Sequence, residues 1–207
     1  MTTLSFYRKL IGHREVTTRS AAQLSGMGMS TASMALRRLE VEGLVSRIKP
    51  GAWLVGTAAT RPGALVSAAA HPYKAYLSGW SALRHHGRIQ QLPRDFFGVT
   101  LGRPAKVELT GATIRLHHIT PALFDGYTYE PSIEGLVASP EKAFFDVAYF
   151  SAMNRSRISG SLPETDLNGF RWSKLQAWLR LVPKGGTRTA VERGIQKMRA
   201  RQSGSSK

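Results

Sequence analysis

Apolar positions recur at helical spacing through the first forty residues. Leu4, Tyr7, Leu10 and Ile11 are spaced for one face of a short helix. Val16 opens an extended link. Thr18 is placed to cap a second helix carrying Ala21, Ala22 and Leu24. Gly26-Met27-Gly28 interrupts the pattern, because glycine accepts the backbone of a tight turn. Ser30 is placed to cap a third helix. On it Ala32, Ala35, Leu36 and Leu39 form a stripe that belongs in a core, and Gly43 stops it. Alternation replaces the helical period from Leu44 to Ile48. Lys49-Pro50-Gly51 then puts proline and glycine where a type II turn requires them, and Ala52 to Val55 returns as a second strand. The pattern predicts a winged helix-turn-helix over residues 1–56.

Residues 57–62 are small and polar and end in proline, which suits a linker. An α+β domain is predicted over residues 63–207. Tyr76-Leu77 reads as a short strand. Ser78 caps a helix through His86 that closes at Gly87. Phe96 to Leu101 and Thr113 to Ile119 read as strands. Ser139-Pro140-Glu141 combines a cap, a first-turn proline and an acid against the helix dipole, ahead of Ala143, Phe144, Val147, Ala148 and Phe150. Trp172, Leu175, Leu179 and Val182 mark another helix. Gly185-Gly186 breaks it, and a last helix carries Val191, Ile195 and Met198. The fold class expected overall is α+β.

Composition adds exclusions. With 42% hydrophobic residues, four Trp and eight Phe, the 207-residue chain can fill real cores. It has no cysteine, which removes a disulfide scaffold, a thiolate metal site and a cysteine nucleophile. No signal-peptide layout and no bilayer-length apolar run occurs, so the expectation is a cytoplasmic protein without a membrane partner. The net charge of +16 is uneven. Residues 1–56 carry eight Lys/Arg against three Asp/Glu, residues 57–179 thirteen against nine, and residues 180–207 eight against one. Such ends attract polyanions without specifying a sequence.

The third helix carries the sharpest chemical signal. Its stripe leaves Ser30, Ser33, Met34, Arg37, Arg38 and Val41 facing outward, hydroxyls near base edges and arginines for guanine or backbone. Arg47 and Lys49 on the wing suit phosphate or minor-groove contact. A solvated face used for protein contact is the alternative. In the tail, Arg193, Lys197 and Arg201 make one basic helical face that fits an acidic partner or remains solvated, and Arg188 is spaced to pair with Glu192. The pairs His85-His86 and His117-His118 invite a metal reading, but adjacent side chains diverge, and no metal is expected. Lys142 and Asp146, four apart, form an ordinary ion pair or line a functional groove. No phosphate-cradling loop, dinucleotide fingerprint, kinase motif set or nucleophile elbow occurs.

Tyr76-Leu77-Ser78-Gly79-Trp80-Ser81-Ala82-Leu83 with His86-Gly87, and Ala138-Ser139-Pro140-Glu141-Lys142-Ala143 with Asp146, resemble two signature stretches of the AbiEi-type antitoxins. The likeness runs in order along nearly the whole chain and is nearest to the mycobacterial MenA group; the C-terminal end is shorter than in longer members. The resemblance implies a type IV antitoxin. Its winged helix would bind inverted repeats in the operator DNA of its own promoter, and its second domain would neutralise a nucleotidyltransferase-fold toxin that modifies tRNA, through contact that need not be lasting. Two mechanisms stay open. The groove around Ser78, Trp80, His86, Lys142 and Asp146 docks the toxin. Alternatively the chain is an atypical serine/threonine protein kinase that phosphorylates the toxin, Lys142 holding the donor's phosphates and Asp146 serving as metal or base carboxylate. No cofactor is expected in the first case; ATP and Mg are required in the second.

Overall fold

The computed structural model describes residues 2–56, 62–92, 95–109, 112–153 and 164–203. Over these residues the chain is mixed α/β, with two sheets and two buried apolar clusters.

The first segment contains α1 (Thr3–Leu10), β1 (Glu15–Thr17), α2 (Thr18–Ser25), α3 (Met29–Val41), β2 (Val45–Lys49) and β3 (Ala52–Val55). Its strands form an antiparallel sheet in the order β1-β3-β2. Helix α1 turns Tyr7 and Leu10 of the expected face inward, but Phe6 takes the place of Leu4 and Ile11. Phe6 and Leu10 are buried, whereas Leu4 and Ile11 are more than half exposed. Phe6 is the larger anchor and, with Leu10 four residues on, settles the rotation of the helix. Thr17, not Thr18, caps α2. Ser20 N–H donates to Thr17 Oγ1 at 2.9 Å and Thr17 N–H to Ser20 Oγ at 2.8 Å, a reciprocal capping box. Thr18 is buried and accepts from Trp53 Nε1 at 3.0 Å. Helix α3 starts one residue before Ser30 and is capped by Gly28 without a side-chain bond. Its inward stripe is as expected, with Ala32, Leu36 and Leu39 at 0% exposure.

The larger segment contains α4 (Pro62–Ala70), β4 (Ala75–Leu77), α5 (Gly79–His85), β5 (Asp95–Thr100), β6 (Ala105–Leu109), β7 (Ala112–His118), β8 (Tyr127–Glu130), β9 (Gly135–Ala138), α6 (Pro140–Met153), α7 (Trp172–Leu181) and α8 (Gly186–Ser203). The sheet is mixed, in the order β6-β7-β5-β4-β9-β8, with β4–β9 and β5–β7 parallel. Alternation along the strands assigns its two faces. Leu77, Gly98 and Leu116 turn toward α4, whose Val66 sits where a Cβ on Gly98 would be. Tyr76, Phe97, Val99 and His117 turn toward α5 and α6. From Glu141 to Ser151 every residue of α6 is buried. A helix buried on all sides is a central one.

Of the expected linker, residues 57–61 lie outside the described residues, and Pro62 already belongs to α4. The two segments are packed together. Ile48 and Leu54 belong to the larger apolar cluster, β2 lies against β6, and Arg14 Nε is 3.3 Å from Glu134 Oε2. Among the described residues no helix is long and apolar enough to cross a membrane.

Candidate nucleic-acid interface and buried polar cluster

Two groups of polar side chains stand out, one on the surface and one inside. On the surface, Gly26 takes a left-handed backbone at φ 71° and returns its N–H to Ala22 and Gln23, which swings the chain from α2 into α3. Ser30, Met34, Arg37 and Arg38 are exposed on α3, and Ser33 is half-buried. Met34 and Arg38 also line a pocket of about 140 Å³ between α1 and α3. Pro50-Gly51 makes the hairpin turn, with Gly51 at φ 78°. Arg47 is half-buried. Its guanidinium lies 5.7 Å from the centre of the Trp53 ring, and the Arg47 backbone N–H donates to Glu40 Oε1 at 3.3 Å. Lys49 is exposed and donates from Nζ to the His71 carbonyl at 3.1 Å. The hairpin therefore offers one arginine held on a tryptophan and one lysine at its tip.

The inner group is built from β4 and α6. Lys142 and Asp146 have no exposed side-chain surface and form an ion pair along the helix. Ser78 Oγ donates to Asp146 Oδ2 at 2.7 Å, and Tyr76 OH to the same oxygen at 3.1 Å. One carboxylate thus receives three donors. The rings of Tyr76, Phe145 and Trp178 surround Lys142 Nζ, with centres at 5.6, 5.2 and 5.7 Å. Gly126, at φ 77°, closes the shell, since a Cβ there would collide with Trp178 and the Lys142 stem. Burial raises the Asp146 carboxyl above its ordinary range, against the pull of Lys142, Ser78 and Tyr76. Burial lowers the Lys142 amine and raises the Tyr76 phenol, the latter helped by the Asp146 charge.

Ser78 begins α5 without capping it, because its hydroxyl is turned to Asp146. Trp80 is half-buried and packs against the larger cluster. His86 Nε2 lies 2.8 Å from the Ala138 carbonyl, which can only accept, so this nitrogen carries the proton. Of the five residues expected to line a groove, Ser78, Lys142 and Asp146 meet and are sealed, whereas Trp80 lies in the first turn of α5 and His86 past its other end, neither bonded to them. In this arrangement neither the Lys142 nor the Asp146 side chain meets solvent. Tyr76, Phe145, Trp178 and Gly126 complete the cluster; Phe145 is one helical turn from Lys142, but no local spacing groups Tyr76, Gly126 or Trp178 with it.

The histidine pairs diverge. His118 Nδ1 donates to the Gly102 carbonyl at 3.0 Å, while His117 stacks on Phe97 at 4.1 Å and against Phe150 at 4.9 Å. Among the described residues no three His, Asp or Glu side chains gather as metal ligands would. Arg193 and Lys197 are exposed on α8; the side chain of Arg201 lies outside the described residues. Arg188, spaced for Glu192, instead caps the end of α7, donating to the carbonyls of Val182 and Arg180.

The chain matches no protein-family model, and no curated protein matches it.

Proposed function

We propose that the chain is a winged-helix DNA-binding protein, cytoplasmic, that represses its own operon and acts as the antitoxin of a nucleotidyltransferase-fold toxin. One observation carries the DNA-binding part. Helix α3 follows α2 across a left-handed glycine, keeps Arg37 and Arg38 exposed, and is followed directly by a basic hairpin in a β1-β3-β2 sheet. Helix-turn-helix readers lay such a helix in the major groove and reach the backbone with the wing. Exposed hydroxyls on the first turn and arginines on the later turns suit base edges and phosphates in that order.

The antitoxin part rests on the resemblance of the two quoted motifs, and the inner cluster supports it. Tyr76 and Ser78 come from the first motif, Lys142 and Asp146 from the second, and all four meet at one carboxylate. The motifs are thus two halves of one structural device, which gives a physical reason for them to occur together. Neutralisation by binding is favoured over phosphotransfer, because Lys142 and Asp146 are already committed to each other without exposure.

Three experiments test the proposal. A gel shift with the DNA upstream of the chain's own gene should show binding at low salt that weakens steeply as salt rises; no binding at low salt removes the repressor reading. Co-expression with the adjacent toxin gene should restore growth. Mixing that toxin with a tenth as much of the chain and ATP should leave its intact mass unchanged. A gain of one phosphate on most molecules would overturn the binding mechanism in favour of the kinase.

A further inference from the structure

The larger segment presents a basic surface beside the hairpin tip. We propose that Lys74 and Arg103, together with Lys49, form one track for the sugar-phosphate backbone of the duplex that α3 reads. The inference rests on the DNA-binding reading above and extends it to residues outside the first segment.

The geometry joins three short pieces of chain. Lys49, at the tip of β2, donates to the carbonyl of His71 at 3.1 Å, so the loop leading into β4 touches the hairpin. Tyr73 packs on Gly102, where any Cβ would strike its ring, so the loop between β5 and β6 lies beside the first loop. Thr100 Oγ1 donates to the Lys74 carbonyl at 3.0 Å and accepts the Gly102 N–H at 3.0 Å; His118 holds the Gly102 carbonyl. Both loops are therefore fixed before any partner arrives.

The charge is of one sign. Lys49, Lys74 and Arg103 are all exposed. No Asp or Glu occurs from His71 to Ala75 or from Thr100 to Val107. Lys106 is adjacent, but Glu108 holds it as an ion pair, so it contributes less. The hairpin tip also meets the start of α2, where Thr18 N–H donates to the Gly51 carbonyl at 2.9 Å and Arg19 is exposed. In helix-turn-helix complexes the helix before the reader crosses the backbone. A run of exposed cations on tied loops, from that helix across the tip to Lys74 and Arg103, suits a phosphate strand, which is regular in charge and indifferent to sequence.

The test uses the full chain and two duplexes of equal length, one carrying the DNA upstream of its own gene and one with that sequence shuffled. Binding is measured across a salt series for the wild type, for Lys74→Ser with Arg103→Ser, and for Arg180→Ser with Lys184→Ser, an equal charge loss at exposed positions outside the track. The track variant should weaken both duplexes by the same factor and lower the slope of log affinity against log salt by about 2, since each phosphate contact contributes roughly 0.9. Lys74→Glu with Arg103→Glu should deepen the loss, and the control pair should leave the slope near that of the wild type. An unchanged slope in the track variants, while Arg37→Ala still weakens binding, overturns the track and leaves the DNA-binding reading standing. Equal losses in track and control variants show a net-charge effect and also overturn it. Failure of the wild type to bind either duplex at low salt overturns both.

Discussion

Helices α3 and α6 each carry charged residues on a short sequence pattern, and they use them in opposite ways. On α3 the arginines at 37 and 38 stay in water, and the helix is held by Ala32, Leu36 and Leu39 on its other side. On α6 the lysine and aspartate at 142 and 146 are inside, and the helix has no other side to put them on. A surface charge costs little to keep and can leave water for a partner. A buried pair has surrendered its hydration and is tolerated only because every atom is matched. The first arrangement suits recognition. The second suits specification of a single packing, here of β4 against α6, and it leaves little freedom to bind anything else.

The largest expected effect tests that contrast directly. Asp146→Ala leaves the Lys142 ammonium buried without its partner and should destabilise the fold by about 3–5 kcal/mol. Replacing both members, Lys142→Met with Asp146→Leu, should recover only part of the loss, because the apolar pair suits Tyr76, Phe145 and Trp178 while the buried hydroxyls of Ser78 and Tyr76 lose their acceptor. Chemical denaturation measures both. A double variant no better than Asp146→Ala would mean that the cluster contributes through geometry that apolar side chains cannot replace. On α3 the same kind of change should do the reverse. Arg37→Ala should shift stability by no more than about 0.5 kcal/mol. It should cost about 1–3 kcal/mol of operator affinity and relax specificity at one position. If Arg37→Ala instead lowers stability and leaves affinity intact, α3 is a structural helix and the contrast fails.

A smaller effect separates local helix chemistry from tertiary packing. Thr17 caps α2 through its reciprocal bond with Ser20. Thr17→Ala should cost about 1 kcal/mol in thermal or denaturant unfolding. It should weaken DNA binding only as far as it frays the turn that aims α3. A cost near zero would show that the hairpin contact at Thr18, and not the cap, holds the start of α2.

The contrast also explains what could be read from the chain. The stripe of α3, the glycine turn before it and the proline-glycine hairpin follow from local spacing, because one face of each element is wet and the other dry. Helix α4 escapes such reading: Pro62–Ala70 is apolar nearly all round, so it shows no period. Strands β1, β8 and β9 are three or four residues long, too short for alternation to register. Lys142 and Asp146 are visible as an i,i+4 pair, and that spacing belongs equally to a surface bridge and to a core one. The deciding signal is their neighbourhood, since residues 143–145 and 147–150 include no charged side chain and so leave no polar face for the pair. The partners at Tyr76, Gly126 and Trp178 are long-range and depend on the order of strands in the sheet. The exposed Leu4 and Ile11 show the converse problem: apolar spacing alone allows two rotations of α1, and the bulk of Phe6 selects between them.

The smallest expected effect near neutral pH concerns a titratable group that neither surface nor ion pair accounts for. His117 stacks between Phe97 and Phe150, and its Nε2 is buried without a hydrogen-bond partner. Burial, helped by the charge of Arg115, lowers its pKa to about 4. In the unfolded chain the ring titrates near 6.5, so between those values the unfolded state binds a proton that the folded state refuses. A depressed histidine therefore leaves the fold at full stability above about pH 6.5. It withdraws stability as pH falls from there toward 4, the unfolded state gaining the proton first. Between pH 7 and pH 6 the loss from this one group is about 0.7 kcal/mol, rising to a slope of about 1.2 kcal/mol per pH unit near pH 5. His117→Phe keeps a ring between Phe97 and Phe150 and removes the titration. Denaturation midpoints for the two proteins, measured from pH 7.5 to 5, should diverge as pH falls, with the variant gaining on the wild type. Parallel curves would mean that His117 takes up its proton in the folded state as readily as in the unfolded one. Its ring would then have to reach water or an acceptor, and the aromatic stack would not be the closed, charge-free counterpart to the α6 ion pair that its geometry makes it.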